Sequence, residues 1–529
     1  MERIKIVIGN HKGLFYLIGF SFIAHSIITL VPPLNGDEAA FWEWSRHLAA
    51  GYYAHPPMTA WLVALTSNLF GINEYSVRLS AILLHLGTVF FVYLIAVEIL
   101  KSKQYAFLSS LLYALLPLSF VIGTMMTTDA NLVFCFTAAV YFIKKAVVDQ
   151  QKNHWYSASI ACGGMLLTKF MAALFFPGIF FFLLVHKQYR KIFLTKEPYI
   201  AAFISLVIFS PFLYWNYKNN WLTFQFNLYV RHREEGFDFI KPAEFLLGQS
   251  LAASPVVLVS GAIALVYLLI LIYRAKVKNI TISKEKDALL LLAYFIVFPV
   301  LYFGITSIGV EIAPHWLAVV FPIWMILILA AFKERYGILD NRMILRSKMI
   351  WANMLSAAII SLTLSVVVLF PKILPDKLIY TPKINDEAPI ISHYFGWKEI
   401  GKHIDHIMVD WKDRPEGFFL SAEDYSLAAM LAFYTPSHPN FYLLNVTEKV
   451  VHGKTYLLWE KGKKKIGSNV LYISDRPDAY KNRIPKFFKG MKHLEPFVVK
   501  EDDGRILRTF YITIGLHYLG GEPDNLSFW

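Results

Sequence analysis

Cysteine and charged residues are both scarce in this chain. Only 2 of its 529 residues are cysteine, and both lie in apolar runs, at Cys135 and Cys162. Two isolated cysteines exclude a disulfide framework and a cysteine-based zinc site, so we interpret both as buried small side chains. Charged residues make up 17% of the chain and hydrophobic residues 56%, against about 25% and about 45–50% in soluble domains. A soluble enzyme and a disordered chain are therefore excluded.

Long apolar runs account for this composition. A membrane-spanning helix needs about 20 mostly apolar residues, and about eleven runs qualify: 13–32, 78–100, 105–126, 130–148, 155–168, 170–186, 198–215, 246–273, 287–308, 317–332 and 350–370. The fifth and sixth are short and are interpreted as two spans or as one broken hairpin. The first is interpreted as an anchor, because it is too long for a removed signal peptide and lacks a small-residue cleavage site. The sequence predicts a polytopic α-helical membrane protein.

The basic residues indicate which side of the membrane each loop faces. Lys and Arg outnumber Asp and Glu by 51 to 38, but the excess is concentrated in alternate loops, near 101–103, 144–152, 187–196, 274–286 and 333–348. Basic loops of this kind are cytoplasmic by the positive-inside rule. We therefore expect a cytoplasmic N-terminus, a chain end on the outer side of the membrane, and no nucleic-acid partner.

The composition changes after Pro371, where long apolar runs stop. We predict a transmembrane domain over 1–372, with outer loops at 33–77 and 216–245, and an extracytoplasmic α/β domain over 385–529. Its expected elements are helices at 396–411 and 424–434, strands at 417–422, 441–445 and 470–474, and a hairpin of 494–500 with 506–514. This domain is interpreted as a lid or packing platform, with a direct catalytic role as the alternative.

The first outer loop is rich in polar and aromatic residues. Asp37 and Glu38 follow the first span, and the segment AAFWEWSRHLAA behind them has the pattern of an amphipathic helix. We expect this helix to lie in the membrane interface, anchored by Trp42 and Trp44. The alternative role for the two acids is to cap the helix and favour its dipole.

More charged and polar residues fall in the other outer loops. Charged residues at membrane depth are costly and usually functional, although each also has an interpretation as a salt bridge or as a side chain that reaches the interface. Together they suit the binding of an anionic lipid headgroup. The residues are Asp129, Lys169, Arg231, His232, Arg233, Glu311 and His315.

These segments resemble a known family. GDEAAFWEWSRHLAAGYYAHPPM, beginning at Gly36, is similar to the first periplasmic loop of GT-C glycosyltransferases of the dolichyl-phosphate-mannose-protein mannosyltransferase type. The closest resemblance is to the bacterial branch, family 83, which includes the aminoarabinose and galacturonic acid transferases of lipid A. Further motifs follow in the family's order over roughly 30–325, with a weaker match in the tail: TTDANLVF, LLTKFMAALFFPG, SPFLYWNYKNNWLTFQFNLYVRHR, APHWLAVVFP and AEDYSLAAMLAFYTP.

Two positions depart from the family's pattern. The acidic residue expected before His-Pro-Pro is Ala54, and the matching glutamate is implicated in metal binding in aminoarabinose transferases. A divalent metal ion is thus the one candidate cofactor, and this loop lacks the acidic ligand that the family's pattern places before His-Pro-Pro. The Asn-Trp motif is replaced by His315-Trp316, which indicates altered contacts with donor or acceptor.

The resemblance implies a GT-C fold with about 11–13 transmembrane helices and an inverting transfer of sugar from a polyprenyl-phosphate donor. The expected acceptor is lipid A or the lipopolysaccharide core, at the outer face of the inner membrane. Asp37 matches the family's catalytic aspartate. Glu38 would position Asp37 or the sugar, and Asp129 would orient the acceptor or tune the proton affinity of Asp37. His55, Lys169, Arg231 and Arg233 are candidates for the donor phosphate; Tyr52, Tyr53 and His315 are candidates for further donor or acceptor contacts.

Alternatives remain within and outside this class. A protein O-mannosyltransferase would use a protein acceptor. A lipid-sugar transporter or flippase would carry its charges at mid-depth in broken helices with repeat symmetry, whereas here they cluster on one side and no sequence repeat is apparent. An assembly subunit with an inactive site is disfavoured by the intact Asp37, Glu38 and Lys169. We expect a monomer in the lipid bilayer.

Overall fold

The computed structural model describes residues 11–230, 236, 238–277, 283–337, 347–381, 383–384, 386, 389–411, 415–444, 453–460, 466–477 and 484–520. The described residues fall into two compact units. The first lies within Met1–Thr29, His55–Thr59 and Arg78–Ser365. The second lies within Leu30–Ala54, Ala60–Val77 and Val366–Trp529, so it combines parts of the first predicted loop with the chain's last third.

Long apolar helices dominate the first unit. Within the described ranges, eight helices are long and apolar enough to cross a membrane: Lys12–Thr29, Glu74–Leu100, Thr128–Val147, Glu197–Lys218, Pro255–Arg274, Lys284–Thr306, Pro314–Tyr336 and Lys348–Leu369. A bent pair, Lys103–Ala114 and Pro117–Thr124, makes a ninth if it is one span. The prediction of a multi-pass membrane protein is confirmed.

The count differs from the eleven predicted runs for a physical reason. The fifth and sixth runs form His154–Leu166, of 13 residues, and Phe175–Val185, of 11 residues. Each is shorter than the roughly 20 residues that cross a bilayer, and between them lie Lys169 and the short 3-10 helix Phe170–Leu174. The third run bends by 70°, where Pro117 begins a new helix and has no N–H to continue the previous one.

Shorter elements connect these helices. The 246–273 run is divided, because Ile240–Ala253 ends at Ser254 and a new helix begins at Pro255. The 3-10 helix Pro314–Val320 leads directly into Phe321–Tyr336. Both cysteines are buried and unpaired with each other, as predicted. The remaining short segments are Arg190–Leu194, Leu222–Gln225 and Phe226–Val230.

The second unit contains a mixed β-sheet. The strands are β1 (Phe418–Ala422), β2 (Phe441–Leu443), β3 (Asn469–Ser474), β4 (Phe488–His493), β5 (Phe497–Lys500) and β6 (Ile506–Tyr518). Their order is β2-β1-β3-β6-β4, with β5 also paired to β6. β1 runs parallel to β2 and β3, while β6 runs antiparallel to β3, β4 and β5. The last hairpin turns at Gly504, whose φ of +87° favours glycine.

Helices of the same unit cover this sheet. Trp397–Trp411 and Tyr425–Tyr434 pack against each other, and Gly401 allows this because a Cβ there would lie 2.2 Å from the Tyr434 carbonyl oxygen. On the sheet, Phe419, Val470, Tyr472, Phe487 and Phe488 belong to one buried apolar cluster. Further α-helices described in the unit are Gly36–Arg46, most of Met58–Phe70, Asp376–Ile379 and Lys454–Glu460, and its 3-10 helices include Pro371–Ile373, Ile390–Tyr394 and Pro485–Phe487.

The predicted strands and helices of the tail are confirmed, with two omissions. Strand β4 (FKGMKH) and the helix Lys454–Glu460 were not predicted. The sequence of β4 has few apolar residues and no regular alternation, so the usual period of two is missing. It is held in the sheet by five pairings with the long strand β6, a tertiary contact that local sequence does not encode.

Candidate functional site

A buried ion pair lies in the first unit. Asp129 is in the first turn of Thr128–Val147, and Lys169 lies in the extended segment before Phe170. The Lys169 ammonium donates to Asp129 Oδ1 at 2.9 Å and to Oδ2 at 3.2 Å. Both side chains are only 5% exposed. Charged side chains at membrane depth usually have a function. We therefore take this ion pair as the candidate functional site of the first unit.

His315 adjoins the same pair. Its Nε2 lies 3.7 Å from Asp129 Oδ2, and its side chain is 43% exposed. The 3-10 helix Pro314–Val320 that carries it packs against Thr128–Val147. His315 thus reaches the buried carboxylate from a partly exposed position. The structure brings together three of the predicted site residues: Asp129, Lys169 and His315.

The segment His55–Thr59 is fastened beside both elements of the ion pair. The backbone N–H of Met58 donates to the Leu167 carbonyl at 3.0 Å, two residues before Lys169. The Asn131 amide donates to Thr59 Oγ1 at 2.9 Å, and Asn131 lies two residues after Asp129. His55 itself is buried. The His-Pro-Pro motif is therefore positioned by the same elements that carry Asp129 and Lys169.

The first-loop helix, Gly36–Arg46, carries Asp37 and Glu38 in the second unit. Its N-cap is Asn35, whose side chain accepts from the Glu38 N–H at 2.9 Å. Glu38 in turn accepts from the Asn35 N–H at 3.1 Å, which completes a capping box. Glu38 is fully buried, whereas Asp37 is exposed at the second helical position. Capping thus uses Asn35 and Glu38 and leaves the Asp37 carboxylate outside the box.

The two tryptophans of this helix are buried in protein, which corrects the predicted interfacial anchors. Trp42 lies edge-on to Phe433, with ring centroids 5.0 Å apart, and Trp44 stacks on Tyr52 at 4.5 Å. Both indoles are at most 2% exposed. The prediction was wrong because the apolar face of the helix packs against Tyr425–Tyr434, a partner that the local pattern cannot reveal.

Tyr52 and Tyr53 have different surroundings. The Tyr52 hydroxyl donates to the Trp44 carbonyl at 3.0 Å, so it closes the turn that follows the first-loop helix. Burial raises the pKa of both phenols, which keeps them protonated near neutral pH. The Lys454 ammonium lies 5.6 Å from the centroid of the Tyr53 ring. Tyr53 therefore borders a buried cation, whereas Tyr52 serves the fold of its own loop.

Two residues of the second unit were not anticipated as site residues. The Tyr425 hydroxyl donates to Asp37 Oδ1 at 3.0 Å, and Lys454 is a lysine that is almost fully buried. Tyr425 lies in the tail motif AEDYSLAAMLAFYTP, but nothing local indicates a contact with a residue 388 positions away. Lys454 gives no signal either, since its segment resembles an ordinary basic loop.

The remaining predictions for the site concern cations and a metal. Arg231 and Arg233 lie outside the described residues. Among the residues that the structure does describe, no three His, Cys, Asp or Glu side chains are grouped so that they could hold a metal ion. The first loop contributes no ligand at Ala54. The divalent metal ion stays a prediction, and we derive no chemical step through it.

Comparison with known proteins supports the resemblance. A sequence model of the family described as dolichyl-phosphate-mannose-protein mannosyltransferase matches residues 54–215. The lipid A galacturonosyltransferase RgtD of Rhizobium johnstonii is 24% identical over 46% of this chain and 52% of its own length. An undecaprenyl phosphate-alpha-4-amino-4-deoxy-L-arabinose arabinosyl transferase of Proteus mirabilis is 26% identical over 37% of this chain and 38% of its own length. The chain therefore spans about half or less of these curated relatives.

The fold likeness extends further than the sequence likeness. The structure of ArnT from Cupriavidus metallidurans superposes with a TM-score of 0.63 at 17% identity and covers 95% of this chain and 98% of that one. The same protein bound to undecaprenyl phosphate matches equally well. The GT-C fold is thus confirmed over nearly the whole chain. The resemblance to the family 83 branch, predicted from the motifs, is confirmed too.

Proposed function

We propose that this protein is an inverting glycosyltransferase that moves a sugar from a polyprenyl-phosphate donor to lipid A or the lipopolysaccharide core. The observation that carries the proposal is the buried ion pair of Lys169 and Asp129, with His315 beside Asp129. Relatives named for lipid A galacturonosyl transfer and for undecaprenyl-phosphate aminoarabinose transfer support the same activity. A structure of ArnT bound to undecaprenyl phosphate supports the class of donor.

Lys169 is proposed to bind the phosphate of the donor. Its ammonium group carries a full positive charge with N–H donors, and the two contacts with Asp129, at 2.9 and 3.2 Å, fix its position in a buried site. A phosphate that leaves with an additional negative charge is stabilised by a fixed cation in a site of low dielectric constant. Asp129 holds the ammonium in place through this step, and His315 adds a nitrogen beside the same carboxylate.

Asp37 is proposed to be the catalytic carboxylate. In the transfer, the bond between the anomeric carbon and the phosphate oxygen breaks, and its electron pair stays with the phosphate. The acceptor oxygen attacks the opposite face of the sugar, forms the new glycosidic bond and loses its proton to the Asp37 carboxylate. An exposed aspartate outside the capping box suits this role, because Asn35 and Glu38 make the capping hydrogen bonds without it.

The location of the reaction is part of the proposal. We place the N-terminus in the cytoplasm and the C-terminal sheet domain in the periplasm, on the evidence of the alternating basic loops. The acceptor would then meet the enzyme at the outer face of the inner membrane. Lipid A is preferred over a protein acceptor because it appears in the name of one relative.

The test is a transfer assay with the purified full-length protein in lipid nanodiscs. Undecaprenyl phosphate carrying aminoarabinose or galacturonic acid is supplied with lipid A, and mass spectrometry measures the mass added to the acceptor. A second arm replaces lipid A with a Ser/Thr-rich peptide, which tests the protein O-mannosyltransferase alternative. The native sugar need not be one of the two that are supplied in the assay. Mass spectrometry of envelope glycolipids from cells with and without the gene therefore identifies the sugar that the protein adds in the cell.

The outcomes separate the candidate functions. A gain of one sugar on lipid A that requires both donor and protein supports the proposal. Transfer to the peptide alone would overturn the assignment of the acceptor. Movement of the donor lipid across a vesicle bilayer without any transfer, together with unchanged envelope glycolipids, would favour a flippase and overturn the enzyme.

A further inference from the structure

Tyr425 of the C-terminal domain contacts the proposed catalytic carboxylate. Tyr425 is the first residue of the helix Tyr425–Tyr434, and its hydroxyl donates to Asp37 Oδ1 at 3.0 Å. Asp37 and Tyr425 belong to the same compact unit, although 388 residues separate them in sequence. Tyr425 is thus a side chain of the tail that contacts the carboxylate directly.

The helix that carries Tyr425 is fixed at its beginning. Asp424 caps it by accepting from the Leu427 N–H at 2.9 Å. At the neighbouring position, a Cβ added to Gly36 would lie 1.7 Å from Ser426 Oγ. The two helices therefore approach as closely as a glycine permits, next to the residues that form the hydrogen bond.

The same helix is fixed at its end. The Tyr434 hydroxyl accepts from the Leu34 N–H at 2.8 Å, and the rings of Phe433 and Trp42 pack edge to face. Contacts at both ends of one helix leave the first-loop helix little freedom to slide or rotate against it. The distance from Tyr425 to Asp37 is consequently set by packing, not by a flexible side chain alone.

The protonation state of Tyr425 defines the direction of the hydrogen bond. Burial raises the pKa of this phenol well above its usual value, and the negative charge of Asp37 raises it further. The hydroxyl therefore remains protonated at neutral pH and serves as a donor. It cannot take the acceptor's proton; it can only restrict the rotation of the Asp37 carboxylate and leave Oδ2 for the substrate.

We propose that Tyr425 is a positioning residue for Asp37, so that the C-terminal domain takes part in catalysis by orienting the carboxylate. This inference rests on the proposed function of Asp37. A hydrogen bond to one carboxylate oxygen selects one orientation of the side chain, and correct orientation contributes strongly to the rate of a reaction between bound groups. The domain is on this view more than a lid or packing platform.

The experiment is a double-mutant cycle on the full-length protein, with Tyr425→Phe, Asp37→Asn and the combined variant. We expect Tyr425→Phe to lower kcat by about 10- to 100-fold, with KM for the donor changed by less than about 2-fold. In the Asp37→Asn background, Tyr425→Phe should cause no further loss, because the catalytic carboxylate that Tyr425 orients is already gone.

Tyr434→Phe is the matched control. It removes a hydroxyl from the same helix, but one that bonds the Leu34 backbone and not Asp37. Its effect on thermal stability should equal or exceed that of Tyr425→Phe, while any loss of kcat should be the same in the wild-type and Asp37→Asn backgrounds. Coupling to Asp37 therefore distinguishes a positioning role from a structural one.

The results that would overturn the inference differ from those that would overturn the function. Wild-type kcat in Tyr425→Phe, with Asp37→Asn inactive, leaves the glycosyltransferase in place and removes the role of Tyr425. Equal losses from Tyr425→Phe in both backgrounds also overturn it, since they describe a purely structural contact. Full activity of Asp37→Asn, in contrast, overturns the assignment of the catalytic carboxylate itself.

Discussion

Lys169 donates to both carboxylate oxygens of Asp129 across 40 residues of chain, and both side chains are almost fully buried. Such a pair is stable mainly because each charge compensates the other. Removing one member leaves an unpaired charge in a medium of low dielectric constant. Replacing both charged side chains by the neutral amides Asn and Gln leaves two groups that can still form a hydrogen bond with each other. This asymmetry separates the structural role of Lys169 from its proposed role toward phosphate.

Lys169→Gln should therefore reduce both stability and donor binding. We expect a cost of about 3–5 kcal/mol in the free energy of unfolding, because the buried Asp129 carboxylate loses its lysine and keeps only the partly exposed His315, 3.7 Å away, beside it. The double variant Asp129→Asn/Lys169→Gln should recover most of the thermal stability but not the binding of undecaprenyl phosphate. Thermal unfolding in detergent and a lipid-binding assay on the same samples measure the two effects.

Lys145→Gln is the control for this experiment. Lys145 is also partly buried and bonds Glu98 at 2.9 Å, but Glu98 keeps its 2.7 Å bond with Lys144 when Lys145 is removed. Donor binding should be unaffected. If the double variant of Asp129 and Lys169 binds donor like the wild type, the pair is structural and the phosphate is bound elsewhere.

Asp37→Asn should abolish most of the turnover while leaving the fold intact. The first-loop helix is capped by Asn35 and Glu38, so the loss of charge at position 37 does not remove a cap. A catalytic carboxylate that accepts a proton contributes about 10²–10⁴-fold, and kcat should fall by that factor. Asp410→Asn, at an exposed position of Trp397–Trp411, is the matched control. Near-normal transfer by Asp37→Asn would limit Asp37 to favouring the helix dipole.

The sequence predicts the membrane helices and the sheet domain well, because both depend on local patterns. Apolar length identifies a span, and a short continuous apolar run such as that of β3, buried at every position, is typical of a core strand. The tail's helices at Trp397–Trp411 and Tyr425–Tyr434 begin within one residue of the predicted positions. Apolar composition over a short window is sufficient to locate these elements, including Tyr425–Tyr434, which is buried at every position from Leu427 to Tyr434.

What the sequence does not predict is which distant elements meet. Trp42 and Trp44 have the pattern of interfacial anchors, yet a helix from the tail covers them. Asp129 and Lys169 were each assigned a separate role, and only the fold shows that they neutralise each other. The contact of Tyr425 with Asp37 is of the same kind. Long-range pairing depends on packing that no window of sequence contains.

Gly36→Ala should separate the two helices that bring Tyr425 to Asp37. The new Cβ would lie 1.7 Å from Ser426 Oγ and 2.7 Å from Ser426 Cβ, so one helix must move. We expect a loss of about 1–3 kcal/mol in stability, as for other overpacked sites, and a reduced kcat. The second substitution Ser426→Gly removes both clashing atoms and should therefore restore most of the lost stability and most of the lost kcat.

Gly19→Ala provides the comparison for this substitution. Gly19 is also helical, but no atom lies within 4 Å of the position its Cβ would take. Its replacement should leave the melting temperature the same or slightly higher, since alanine favours a helix. If Gly36→Ala has the same melting temperature as Gly19→Ala, the two helices do not keep their close approach in the purified protein.

The bent pair determines the orientation of everything that follows it. In the described part of the chain there are eight long apolar helices, or nine if Lys103–Ala114 and Pro117–Thr124 together form one span. An odd number places the tail on the opposite side from the N-terminus. The short helices His154–Leu166 and Phe175–Val185 do not change this parity if they form a hairpin, because a hairpin returns to the side it left.

Reporter fusions on either side of the bent pair test this orientation. If the pair crosses the membrane, two spans lie between Ser102 and Gln150, and both positions should report cytoplasm, in agreement with their basic loops. A fusion after Ala275 should also report cytoplasm, and one after Ile400 should report periplasm. If the pair is instead a re-entrant loop, Gln150 and Ala275 report periplasm and Ile400 reports cytoplasm. Asp37, which precedes the bent pair, would then face away from the domain carrying Tyr425, and the proposed site would be excluded.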